Sequence, residues 1–373
     1  MTDLYSSDKK DVGILTFQNT SNFGSFFQTV ALYYVLKDMN VNCEIIKYKS
    51  AKIEDRERLK RPSFDSVRDF VRSLIYRPFF EIRYRLLNSV LEKDTDCSKE
   101  YKKNMLCSLE WRYKNIIVGS DLVWSIDVTG GDTTYLLDFF DGTGKYAYAS
   151  SVGKTINEYE HDIYRKYLSE FRKIGVREEQ TREEMVKKFG FKNVYSVCDP
   201  TILLYDKWEK YYDYRKSKYY KKLVKQKYLL MYFPDGEGKM RHDAEVICQK
   251  EGITGICINS LKLQRGIKNY SVFFPEDFIC FIKCASVVLT GSYHGVLFSI
   301  FNRIPFFYYI RSHSGRMESL SKRIGIENRS SRFIDNSQSV FYMDFESVYK
   351  KMAEYRTDSE NFLMEVVSDL KTE

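Results

Sequence analysis

The sequence predicts an α/β protein built from two successive doubly wound halves that face each other across a cleft, and three observations carry that expectation. Short apolar, β-branched runs alternate with longer segments of helical period from residue 12 to about residue 200. A charged, Tyr-rich stretch over residues 205–226 then interrupts the alternation and reads as the interdomain connection, and a second alternating set runs on to residue 310. Alternation of this kind favours parallel sheets covered by helices. At 373 residues the chain is long for one hydrophobic core, so two domains are expected.

Taken in order, VGILTF (12–17) reads as a strand, NTSNFGS as a loop, residues 26–39 as an amphipathic helix and residues 43–48 as the next strand. The loop lacks G-x-G-x-x-G, so no dinucleotide fingerprint is present. Strands follow at 115–119 and 145–153, then a helix near 157–172, the run KIGVREE, a helix over 181–190 and NVYSVCDPTILL, in which Asp199-Pro200 marks a turn. In the second half, YLLMYF, a helix near 240–251, ITGICI, PEDFICFIKCA, SVVLT, a buried helix from Val296 and PFFYYI succeed one another. The expected boundaries are 1–205 and 206–373, with the C-terminal helix packing back on the first domain.

Residues 51–105 break the pattern as a basic helical insert, expected on the acceptor side. Arg68, Arg72, Arg77 and Arg83 alternate there with Phe, Tyr, Leu and Ile at helical spacing, which suits either a solvated helix packed on its own domain or a helix lying on an anionic membrane surface.

Composition narrows the function classes. The net charge of +8 is modest for this length; it favours anionic substrates and does not mark a nucleic-acid binder. The polar N-terminus and the absence of a run long enough to span a bilayer point to a cytoplasmic protein. Eight cysteines, Cys43, Cys97, Cys107, Cys198, Cys248, Cys257, Cys280 and Cys284, include no C-x-x-C pair and read as reduced thiols. DGTGK and GEGK lack the spacing of a phosphate-binding loop, no G-x-S-x-G or H-E-x-x-H occurs, and Asp94-Thr95-Asp96 sits in a charged helical tract and reads as a solvated turn.

Four polar clusters stand after expected strands: Asn22-Phe23-Gly24, Gly119-Ser120-Asp121, Arg177-Glu178-Glu179 and Ser292-Tyr293-His294-Gly295. In open α/β sheets, ligands bind at such strand ends. Each cluster also has a plain structural reading: Asn22 and Asp121 as helix caps or turns, Arg177 as the partner of a surface Glu, His294 as a loop residue satisfied locally.

The segments VGILTFQNTSNFGSFFQTVALYYVLK, VGSDLVW, YAYASSVG, GVREEQT, CDPTILL and PEDFICFIKCASVVLTGSYHGVLFSIFNRIPF resemble, in order and approximate spacing, the polysaccharide pyruvyl transferase family. The resemblance covers most of the chain outside the basic insert and the C-terminal tail, and it is most specific around His294. It implies a GT-B-like fold of two Rossmann-like domains. It also implies transfer of pyruvate from phosphoenolpyruvate (PEP) to two hydroxyls of one sugar, forming a cyclic ketal on a cell-surface polysaccharide (capsule or exopolysaccharide) or its precursor. PEP is then a substrate, no cofactor is expected, and a divalent metal is not generally needed. The expected partners are PEP and a glycan acceptor. A lipid-linked acceptor would bring the enzyme to the inner face of the membrane.

By the same resemblance His294 is the proton donor, and Arg177 matches the family's strand-end arginine and becomes the anion clamp. Asp121 orients or deprotonates a sugar hydroxyl. Asn22, where one branch of the family has Asp, is assigned to acceptor binding. Arg311 or Arg316 takes the place of a lysine that some members use for PEP, and Gly24, Gln28, Ser120, Ser292 and Tyr293 complete the expected substrate-contacting set. Two other classes remain open at this point: a GT-B glycosyltransferase using a nucleotide sugar, and a catalytically silent glycan- or membrane-binding protein on the same scaffold.

Overall fold

A computed structural model of the chain describes residues 10–58, 67–232, 238–259, 267–310, 315–334 and 339–371. They group into two compact units. One comprises Met1–Ser73, Leu87–Leu203 and Ala353–Glu373, and the other Leu74–Leu86 and Leu204–Met352.

The first unit is organised by an all-parallel sheet of β1 (Lys10–Leu15), β2 (Cys43–Tyr48), β3 (Cys97–Tyr101), β4 (Tyr113–Val118), β5 (Gly144–Ser150), β6 (Lys173–Val176) and β7 (Val194–Ser196), in the order β3-β2-β1-β4-β5-β6-β7. The central strands carry apolar runs (Val12–Leu15, Ile116–Val118, Tyr146–Ala149) of the kind that both-sided burial selects. Ile14, Leu15, Ile116, Ile117, Val118, Tyr146 and Ala147 are all fully buried. The helix Phe23–Asp38 carries the β1-to-β2 crossover and is buried on nearly every side. The C-terminal helix Phe345–Lys371 contributes its later turns to the same unit. There Tyr355 Oη donates to the Val197 carbonyl at 2.9 Å, the Cys198 N–H donates to Ser359 Oγ at 2.8 Å, and Phe362 packs 5.2 Å from Tyr195.

The second unit holds a parallel sheet of β8 (Tyr228–Tyr232), β9 (Thr254–Ile258), β10 (Lys268–Tyr270), β11 (Val287–Thr290) and β12 (Phe306–Tyr308), in the order β10-β9-β8-β11-β12. Leu229, Met231, Val287, Leu289 and Phe307 pack on Met240, Ala244 and Ile247 of the helix Gly238–Glu251. Both sheets share one plan. The chain steps outward from the first strand (β1 to β3, β8 to β10), then returns to the other side of that strand (β4, β11). The order reverses between β1 and β4 and between β8 and β11, which is where an open parallel sheet leaves a crevice beyond its carboxyl ends.

Several expectations need correction. The insert expected to be helical over 51–105 contains β3 as well as the helices Ala51–Arg58 and Val67–Asp94. CSKEY is a polar edge strand whose alternation is too short to separate from a turn. The strand β10, only three residues long, was not expected for the same reason. The Tyr-rich stretch expected to be a connection is a packed part of the second unit: Trp208 lies 5.2 Å from Phe298 and Tyr219 lies 4.9 Å from Phe281. Its aromatic rings fill space while its lysines stay solvated. Arg83, expected on a basic surface, is 4% exposed and donates to Asn259 Oδ1. Arg77 is exposed, and the side chains of Arg68 and Arg72 lie outside the described residues.

Candidate active site

In the first unit, the carboxyl ends of five neighbouring strands each deliver a polar residue to one ledge. After β1, Thr16 Oγ1 donates to the Ser120 carbonyl at 2.7 Å, joining the loop after β1 to the loop after β4. After β4 the backbone turns at Asp121 with φ of +84°, a conformation that costs a non-glycine residue energy and marks a position held by its surroundings. The turn is fixed on three sides. The Leu122 N–H donates to Asp121 Oδ1 at 2.8 Å, Ser25 Oγ donates to Asp121 Oδ2 at 2.5 Å, and the Ser151 N–H donates to the Asp121 carbonyl at 3.0 Å. The carboxylate is thereby aimed by the first turn of the helix Phe23–Asp38 and is 8% exposed.

After β5, Ser150 and Ser151 are fully buried, and Ser151 Oγ donates to Glu178 Oε1 at 2.5 Å. After β6, Arg177 is 3% exposed and its Nη1 donates to Asp199 Oδ2 at 2.8 Å, with Glu178 Oε1 3.7 Å from its Nε. After β7, Asp199 is fully buried and also accepts from Thr201 N–H and Oγ1 at 3.0 and 2.7 Å and from Ser120 Oγ at 3.4 Å. The plain reading of Arg177 as partner of a surface Glu is therefore replaced by a buried ion pair. Its charge is countered within the fold, so direct clamping of a substrate anion would have to compete with two carboxylates.

The loop before the helix Phe23–Asp38 has its own anchor. Glu57 Oε2 accepts from Thr20 Oγ1, Ser21 N–H and Ser21 Oγ at 3.0, 2.9 and 3.0 Å. Asn22 is the helix N-cap, its Oδ1 accepting from Gly24 N–H at 2.9 Å, which is the cap reading of that residue. Gln28 is fully buried and its Nε2 donates to Thr16 Oγ1, the Ser25 carbonyl and Thr29 Oγ1. Gln28 holds the ledge together, and a substrate would have to displace those bonds to reach it.

In the second unit, β8 ends at Tyr232 and β11 at Thr290. The helix that follows is Tyr293–Phe301, so His294 stands in its first turn and not in a loop as the apolar run from Val296 suggested. The reason is local: Ser292 is the N-cap, its Oγ accepting from Gly295 N–H at 3.2 Å, and its own N–H donates to Thr290 Oγ1 at 3.0 Å. Glycine at 295 is required by close approach. A Cβ there would lie 2.3 Å from Thr290 Oγ1 and 2.7 Å from Tyr232 Cδ1. His294 is 5% exposed, with the Tyr293 ring 5.4 Å away in an edge geometry. Burial pushes the Tyr232 phenol upward, so that hydroxyl stays neutral. Helix N-termini of this kind favour anions through their free N–H groups and dipole.

Thus Asn22, Gly24, Gln28, Ser120, Asp121 and Arg177 cluster at the carboxyl end of the first sheet, and Ser292, Tyr293 and His294 at that of the second. Arg316 lies in the first turn of the helix Gly315–Ile324, half-buried, while Arg311 lies outside the described residues. Sequence reasoning missed Asp199, Ser25 and Glu57. Asp199 was legible only as a turn before Pro200, although it ends a strand as the other cluster residues do. Among the described residues no group of three or more His, Cys, Asp or Glu side chains is arranged to hold a metal ion, and the cysteines form no disulfide. No described helix is long and apolar enough to cross a membrane.

Comparison with known proteins adds an independent line. The family described as polysaccharide pyruvyl transferase matches residues 22–313. No curated protein matches the sequence significantly. Among solved structures, the UDP-N-acetylglucosamine 2-epimerase of Rickettsia bellii is similar over 97% of both chains at 10% identity, with a TM-score of 0.54. UGT89C1 of Arabidopsis thaliana, complexed with UDP-L-rhamnose, is similar over 98% of this chain and all of its own, at 9% identity and a TM-score of 0.51. At such identities the likeness is one of fold, and the fold is GT-B-like α/β.

Proposed function

We propose, from the premise that the chain belongs to the polysaccharide pyruvyl transferase family, that this transferase uses PEP as donor and closes a cyclic ketal on two hydroxyls of one sugar. The observation that carries the reading is His294, held in the first turn of a capped helix at the strand-order reversal of the second sheet.

The chemistry sets what each group must do. The PEP methylene takes a proton and becomes a methyl group, leaving a cationic centre at the carbon that bears the phosphate and carboxylate. One sugar hydroxyl adds there and loses its proton. The C–O bond to phosphate then breaks, inorganic phosphate leaves, and the second hydroxyl adds to close the ring, its proton passing to the departing phosphate. In this reading the His294 imidazolium supplies the first proton. The N–H groups of its helix favour the anionic donor, with Ser292 and Tyr293 beside it. Asp121 orients the acceptor hydroxyl and takes its proton, its carboxylate aimed by Ser25. Arg177 fixes the ledge through Asp199 and lends positive charge only as that pair rearranges. Arg316 is a further candidate for the donor's charge.

Calorimetric titration of PEP into the wild type, His294→Ala and Arg316→Gln tests the donor. The reading expects wild-type binding, near-normal binding by His294→Ala with turnover abolished, and weakened binding by Arg316→Gln. Binding of a UDP-sugar with no binding of PEP, with or without a glycan acceptor, overturns it in favour of glycosyl transfer.

A further inference from the structure

We propose that the helix Val67–Asp94 seats the enzyme on an anionic lipid bilayer through its outward face. This goes beyond the donor and acceptor chemistry and does not depend on it. The helix is apolar on two opposite faces. Arg83, Tyr84, Leu87 and Leu91 are buried along one face, and the Arg83 guanidinium lies 4.8 Å over the Phe80 ring. The opposite face exposes Leu74 (48%), Ile75 (59%), Phe79 (42%) and Ile82 (52%), with Pro78 exposed among them. These positions recur at one, three and four residues and form a single stripe. A solvated helix puts charge on that face; this one buries an arginine and exposes isoleucines. Exposed apolar residues scattered singly mean little, but a contiguous stripe marks an interaction surface.

Two arguments choose the occupant. The first is area. Half-exposed Leu, Ile and Phe side chains offer on the order of 80 Å² each, so these four present roughly 300 Å². A stable dimer or specific protein partner needs about 800 Å² per side, whereas an interfacial helix needs only one apolar face sunk to the headgroup boundary. The second is charge. Between Arg56 and Arg85 the sequence carries nine Arg or Lys against four Asp or Glu, and with the buried Arg83 set aside the basic excess is four. Arg77 is exposed on this helix, and Arg85, 75% exposed at its side chain, pairs with Glu81 at 2.8 Å. A basic sequence segment that contains an apolar stripe, with Arg77 exposed on the same helix, is the pattern that anionic leaflets attract.

Co-sedimentation with phosphatidylcholine vesicles, with and without phosphatidylglycerol, tests this on the full-length protein. The wild type is expected to pellet with the anionic vesicles and to be released partly by high salt. The pair Ile75→Asp and Phe79→Asp should lower the partition coefficient by at least about tenfold, and Arg77→Gln by about fivefold. Sedimentation velocity without lipid runs in parallel; a wild-type dimer that the aspartate pair dissociates assigns the stripe to a second copy and overturns the proposal. Equal pelleting of wild type and variants, or none by the wild type at low salt, also overturns it. Should the aspartate pair fail to fold, Phe79→Trp keeps the test open. Its emission, measured against wild type, must shift to the blue and be quenched by brominated lipid, and an unchanged spectrum refutes the idea.

Discussion

The two strand-order reversals share a topology and differ in the kind of groups they gather. At the first, Asp121, Ser25, Thr16, Ser120, Arg177 and Asp199 answer one another, so the ledge is built before any ligand arrives. At the second, the carboxyl ends of β8 and β11 offer a buried tyrosine, a capped helix N-terminus and one imidazole. The difference separates two costs. A substitution in a mutually satisfied network strands a partner in a low-dielectric interior and is felt as stability. On the proposed reading, a substitution at His294 removes the proton donor and is felt first as turnover.

The sharpest contrast is His294→Gln. We expect kcat to fall by about 10²- to 10⁴-fold, the range for loss of a positioned general acid, with a thermal midpoint near that of the wild type. Steady-state assay beside thermal melting checks both; a collapse in midpoint with activity per folded molecule intact would erase the contrast. Next in size, Arg177→Met should destabilise by about 3–5 kcal/mol, because the buried Asp199 carboxylate loses its ion-pair partner. Adding Asp199→Asn should restore part of that loss, and simple additivity in chemical denaturation would show that the two side chains do not act as a pair.

Gly295→Ala tests the close approach that places His294. Overpacking against Thr290 and Tyr232 should cost about 1–3 kcal/mol, partly relieved in the double variant with Thr290→Ala, which removes the Oγ1 that the new methyl would meet. A neutral outcome in thermal melting would mean that the helix start is more pliant than the 2.3 Å approach implies. The smallest effect is expected from Ser292→Ala, about 1 kcal/mol for a lost N-cap. A larger rise in KM for PEP than in instability would sharpen the view that this helix start receives the donor.

Much of this arrangement was legible in the sequence because strand ends are signalled by a shift from apolar runs to small polar residues. Gly119-Ser120-Asp121 and Thr290-Gly291-Ser292 stand where that rule puts them, and the two alternating sets yielded the pair of parallel sheets. Pairing was not legible. Arg177 meeting Asp199, or Ser25 meeting Asp121 across 96 residues, depends on which strands become neighbours, and no local pattern encodes that. Glu57 was hidden for the same reason inside a charged helix whose solvated and buried carboxylates look alike in sequence. The start of the His294 helix was missed because hydrophobic period locates the middle of a helix well and its cap poorly.

The discontinuity of the first unit has a consequence for synthesis. Its sheet is complete by residue 196, yet Tyr355, Ser359 and Phe362 close its outer edge over Val197, Cys198 and Tyr195. On the ribosome those residues emerge only after the whole of residues 204–352. The β7 side of the nascent first unit therefore lacks that cover until the later-made unit has been translated.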